Sequence, residues 1–151
     1  MKKLLLFLFV CVAASSYAQT KSTPFKKFKP PVVQTYLGVN QDGAAVMPEE
    51  GVQLVALPLK ITDAKGNNYS IDSYQFLYRR ETVLQNENTG KPEVGYTIVS
   101  SRFHQTPLPK VWVDNIKPTL KKGEQLYFFD IMVKDKEGRT FMAPEIKITI
   151  K

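Results

Sequence analysis

His104 is the only histidine of the 151-residue sequence, and Cys11 is its only cysteine. One histidine cannot build a multi-histidine metal site. It could still activate a serine, but no serine sits in a Gly-x-Ser-x-Gly turn, the context that exposes such a nucleophile. Flanked by Phe103 and Gln105, His104 reads as a structural or exposed histidine. Phosphate-binding and dinucleotide glycine fingerprints are missing, as is a calcium loop of the EF-hand type. The acids gather in turns, as in Glu49-Glu50 and Asp135 to Glu137. These residues point to no catalysis, no cofactor and no metal.

What the residue types favour is recognition. Tyr78, Arg79, Arg80 and Trp112 belong to the types that dominate protein-binding hot spots. Each has a plainer reading: Tyr78 and Trp112 as core, Arg79-Arg80 as a solvated strand end. Lys26, Lys27 and Lys29, interleaved with Phe25 and Phe28, form a basic arm suited to an acidic partner, a polyanion or a membrane surface. The same arm also reads as a solvated leader.

The N-terminus sets the compartment. Lys2-Lys3 precede an uncharged apolar run, Leu4 to Val12, and Ser16-Tyr17-Ala18 fits the small-x-small rule. The expectation is a cleavable export signal over residues 1–18, cut before Gln19. The run is too short to span a bilayer, which takes roughly 20 residues, so no transmembrane segment is expected in the mature chain. Cys11 is best placed as an apolar member of the signal; lipidation there would want a small residue where Val10 stands. The formal charge of +7 falls to +5 without Lys2 and Lys3. Lys21, Lys26, Lys27 and Lys29 hold four of those charges, so residues 30–151 carry only +1. A nearly neutral body on an exported protein argues against nucleic acid as a partner.

The expected elements are mostly strands. Residues 19–31 read as a basic flexible leader that ends at Pro30-Pro31, and residues 32–151 as one domain. Val32 to Val39 is rich in β-branched and aromatic residues and is followed by the turn Asn40 to Gly43. Val55, Leu57, Leu59 and Ile61 alternate as one face of a strand, with Pro58 marking an edge or bulge. Tyr69 to Leu84 and Val94 to Phe103 predict a long antiparallel hairpin around the polar loop Asn86 to Glu93, with Tyr74, Phe76 and Tyr78 on one face. Val113, Ile116 and Leu120 have helical spacing, which predicts a short helical turn. Tyr127, Phe129, Ile131 and Val133 predict one face of a further strand. Ile146, Ile148 and Ile150 alternate with polar residues in the last strand. The sum is an all-β, mainly antiparallel fold, an Ig-like β-sandwich of about seven strands with at most one short helical turn.

The stretch Ile116 to Ile131 (IKPTLKKGEQLYFFDI) resembles the end of the gliding-motility and type IX secretion family GldM, also called PorM. The shared pattern is a Lys-Lys-Gly turn and an aromatic strand ending in Asp-Ile. A turn follows, here Asp135-Lys136-Glu137-Gly138, then a proline, Pro144, before the last strand Glu145 to Lys151. The resemblance covers about residues 70–151. It is confined to one terminal domain, since this chain has an export signal where the family has a membrane-anchoring helix. It implies an Ig-like module without catalytic residues that contacts envelope proteins of the secretion or gliding apparatus, in the periplasm, at the outer membrane or outside the cell. Self-association remains open. A free exported protein that binds a small ligand is the alternative.

Overall fold

The computed structural model describes residues 27–151. The expected export signal, Cys11 and Lys26 lie outside the described residues. No helix among the described residues is long and apolar enough to cross a membrane.

Eight strands and two short helices follow one another. Strand β1 is Val33–Leu37, β2 is Ala45–Val46, helix α1 is Pro48–Leu54, β3 is Leu59–Asp63 and β4 is Asn68–Gln85. Then come β5 (Pro92–Phe103), α2 (Lys110–Ile116), β6 (Gln125–Lys134), β7 (Thr140–Ala143) and β8 (Ile146–Ile150). The fold is mostly β, as expected. The strands join along one hydrogen-bonded path, β1-β3-β4-β6-β8-β2, with β5 on β4 and β7 on β6. All pairings are antiparallel except the short one between β2 and β8. The result is a curled mixed sheet. The Thr35 hydroxyl donates to the Pro144 carbonyl oxygen at 2.6 Å, tying β1 across the curl to the β7–β8 corner.

Two helices stand where at most one helical turn was expected. Helix α1 ends at Leu54, directly before the stretch Val55 to Ile61 that alternation assigned to a strand, and the first half of that stretch is the connection leaving the helix. Pro48 supplies a fixed φ at the first turn, and Glu49 and Glu50 complement its positive end. Val55 is buried, Leu57 is exposed, and the strand starts only at Leu59. Pro58 therefore sits in a connection, not in a ladder. Gly51 is packed tightly: a Cβ there would lie 2.6 Å from Ile150 Cδ1 and 2.8 Å from Leu120 Cδ2, so these side-chain ends would have to shift to admit one. Helix α2 matches the expected turn and buries Val113 and Ile116.

The core lies inside the curl. Phe76 and Phe128 are 4.7 Å apart between centroids, and Tyr74 lies 5.8 Å from Phe128. Strand β6 departs from simple alternation. Leu126 and Phe128 face inward in its first half, Ile131 and Val133 in its second, while Tyr127 and Phe129 lie on the outer face. Asp130 causes the change, because it takes a left-handed φ of 47°. The pairing slips there, from Gln75↔Phe129 to Ser73↔Met132, and slips back between Ser73 and Ile71. Two offset bulges thus turn both strands over at nearly the same level. Gln75 Nε2 donates to Asp130 Oδ2 at 2.6 Å and holds the strained residue in place.

Candidate partner-binding groove

The groove begins with the length of β4. Its middle lies between β5 and β6, but its last pairing with β6 is Arg79↔Gln125. Beyond that point it continues with β5 alone, out to Gln85↔Pro92. The hairpin therefore leaves the sheet. Alternation sends Tyr78 and Arg80 to its inner side and Arg79 to its outer side.

Helix α2 lies against that inner side. Trp112 packs edge-on against Phe76 (5.7 Å, 81°) and Phe103 (5.5 Å, 86°). Between helix and hairpin opens a groove of about 220 Å³, with Tyr78, Arg80, Val99, Val111, Trp112 and Thr119 among its walls. Arg80 is exposed at this surface and makes no ion pair among the described residues.

The floor is held from beneath. The Tyr78 hydroxyl donates to Glu124 Oε2. The same carboxyl accepts the N–H of Glu81 at 3.3 Å and of Lys121 at 3.1 Å. Glu124 is fully buried. Burial, and then the bond to Glu124, push the Tyr78 phenol far above its ordinary pKa, so it stays a donor at any physiological pH. Glu124 meets the N–H of Glu81 just past the end of β6, where a strand partner would otherwise take it.

Three of the residues expected at an interface thus converge: Tyr78, Arg80 and Trp112. Arg79 does not join them; its guanidinium carbon lies 3.5 Å from the ring centre of Tyr96 on the other face. Lys27 is exposed elsewhere, and Lys29 lines a separate cleft of about 360 Å³ between the β3–β4 and β6–β7 turns. There Phe28 packs toward Phe141 at 6.3 Å and under Arg139 at 4.3 Å, so the leader is anchored at that residue. Val99, Val111 and Glu124 were not singled out from sequence. Val111 and Val99 carried a weak signal, being large apolar residues without a clear inward partner. Glu124 carried none.

The turn beside the Phe28 cleft is built on Asp63. Its carboxyl accepts from the Lys65 N–H, the Asn67 N–H, the Asn67 side-chain amide and the Tyr69 hydroxyl. The Asn67 amide foremost, then the Asn67 N–H, Tyr69 and the Lys65 N–H, outweigh partial burial and hold its pKa at about 2, below the usual 3.8. A depressed carboxylate contributes stability that is full above the unfolded value and lost as pH falls through the folded one. The stability gap between the parent and Asp63→Asn should therefore be open at pH 6 and close between about 4 and 2. An NMR titration of the carboxyl carbon checks this directly; a midpoint near 4 would show that the turn bonds are not made in solution.

His104 is exposed, and its Nδ1 lies 3.1 Å from the Asp72 carbonyl oxygen. No described hydrogen bond links it to a serine. No group of three or more His, Cys, Asp or Glu among the described residues could hold a metal ion. The class defined so far is a mostly β chain with a groove between a protruding hairpin and a short helix. No family model matches the chain, and no curated protein matches it.

Proposed function

We propose that this chain is an exported, non-catalytic protein-binding module, and that its place is in the bacterial envelope with the type IX secretion and gliding apparatus. The observation that carries the binding reading is the convergence of Tyr78, Arg80 and Trp112 on one groove from two separate elements. The partner is an extended segment with an apolar side chain for the Trp112 wall and an acidic group for Arg80. This groove, at about 220 Å³, is smaller than the 300–1,000 Å³ usual for small-ligand sites, which favours a protein chain over a free ligand at this surface. The envelope assignment rests on the N-terminal export pattern and on the resemblance of residues 70–151 to the end of GldM.

Placing a photo-crosslinking residue at Val111, which is exposed at the groove, tests this in intact cells. The expected result is a crosslink to a component of the secretion or gliding machinery, lost when Arg80→Glu is added. Crosslinks that survive Arg80→Glu, or that hold no envelope protein, would dispose of the reading.

A further inference from the structure

The outer edge of β5 has no strand beside it among the described residues, since β5 pairs only with β4. It is a long edge, twelve residues from Pro92 to Phe103. Natural edges of this kind are blunted with charges, prolines or bulges. Here Val94 to Ser101 holds no charge and no proline, and its register with β4 runs without a slip. The outer face of the hairpin also leaves Val83, Val94, Tyr96 and Ile98 exposed, Val94 at 64% and Ile98 at 62%. A two-stranded ribbon is marginal in water by itself.

The direction of the free backbone groups can be read from the ladder. Alternate residues of an antiparallel strand turn their N–H and C=O to opposite sides. The N–H of Asn86 goes to Lys91 on the β5 side at 2.9 Å, and that of Glu81 goes to Glu124 on the β6 side. In the register of the hairpin, Val94, Tyr96, Ile98 and Ser100 therefore turn their backbone groups outward. These four positions are symmetric about Thr97.

We infer that the β5 edge is a self-association surface, where a second copy of this chain pairs antiparallel about a two-fold axis at Thr97. The pairing sets Tyr96 opposite Ile98 and Val94 opposite Ser100, each twice. A second copy suits this edge because an uncharged strand meets no like charge when it meets itself. The two apolar outer faces then become continuous across the axis. Arg79 and Glu81 share this outer face from β4, opposite Ile98 and Tyr96 and one strand back from the axis, with Arg79 stacked on Tyr96. The inference is independent of the groove, which lies on the inner side of the hairpin.

Sedimentation of the purified protein over a concentration series reads the outcome. The parent should approach twice the monomer mass, and Ile98→Lys should remain at the monomer mass with its thermal unfolding unchanged. Thr97 would face its own copy in a non-hydrogen-bonded pair, about 4.5 Å between Cα atoms, within disulfide reach. With Cys11→Ser as background, Thr97→Cys should give an oxidised dimer, whereas Glu87→Cys at the hairpin tip should not. A parent that stays monomeric throughout overturns the inference. So does a dimer that persists in Ile98→Lys without the Thr97→Cys crosslink. Amide exchange completes the test: slow exchange at Tyr96 and Ile98 in a monomer would give the edge to residues 1–26 instead of a second copy.

Discussion

Removal of Ile148–Lys151 is expected to leave a chain that does not fold. Strand β8 lies inside the sheet, between β6 and β2. Ile148 and Ile150 are fully buried, and losing a buried isoleucine side chain costs about 2–5 kcal/mol. Two such losses approach the whole stability of a domain, about 5–15 kcal/mol. The backbone adds to the damage. Gly123 donates to the Ile150 carbonyl at 2.8 Å, and Ile150 donates to the Glu124 carbonyl at 2.9 Å. Thr149 and Lys151 donate to Ala44 and Val46, both at 2.9 Å. All four bonds go at once, which frees β2 and opens one side of β6. Gly51 loses its purpose too, since Ile150 fills the space its missing Cβ leaves. Circular dichroism and urea unfolding decide the matter. A cooperative transition within about 2 kcal/mol of the parent would mean that β8 is not the inner strand described above. Lys151→Glu, which keeps the backbone and alters only an exposed side chain, should change little.

The alternation of Ile146, Ile148 and Ile150 made β8 legible in the sequence, and the same period exposed the hairpin with Tyr74, Phe76 and Tyr78 inward. These strands have one face buried and one wet, so side-chain type follows geometry. The sequence misled where that link broke. Val55, Leu57, Leu59 and Ile61 alternate in type, but the connection that follows helix α1 carries the first two. Pro48-Glu49-Glu50 was the better signal, because it specifies a helix start whatever follows. In β6 the period is correct on each side of Asp130 and out of phase across it. A left-handed residue other than glycine leaves no mark in a hydrophobicity pattern. The residues at the groove were legible by type but not by position. Tyr78 and Arg80 share a face because they are two apart on a strand. Their meeting with Trp112 depends on how α2 crosses that face, which no local pattern encodes. Lys27 and Lys29 were legible as exposed charges, but charge alone does not say which surface a residue joins.

Glu124→Ala is expected to destabilise the protein by roughly 3–5 kcal/mol, far beyond the cost of shortening an exposed acid. Three donors depend on this one buried carboxyl: the Tyr78 hydroxyl, the Glu81 N–H and the Lys121 N–H. The Tyr78 hydroxyl is buried and the two N–H groups partly so; a buried donor left without an acceptor costs about 1–3 kcal/mol, and a part-buried one less. Two of the three sit where the hairpin parts from the sheet, so the loss is not only global. Tyr78 is the floor of the groove, and Glu81 is the last residue of β4 held from the β6 side. Hydrogen exchange should therefore accelerate at residues 79–99 before it does in β8. The pairing itself can be isolated. Tyr78→Phe alone removes one donor and leaves the carboxyl its two N–H partners. Once Glu124 is gone, the same change removes an orphaned hydroxyl and should cost less. The double variant should then be more stable than the two single losses added together, by at least about 1 kcal/mol. Additive losses would show that Tyr78 and Glu124 do not share the bond. Partner capture at Val111 gives the functional side of the same test: it should weaken in Glu124→Ala while the fold persists, because the wall at Trp112 remains and the floor beneath it does not.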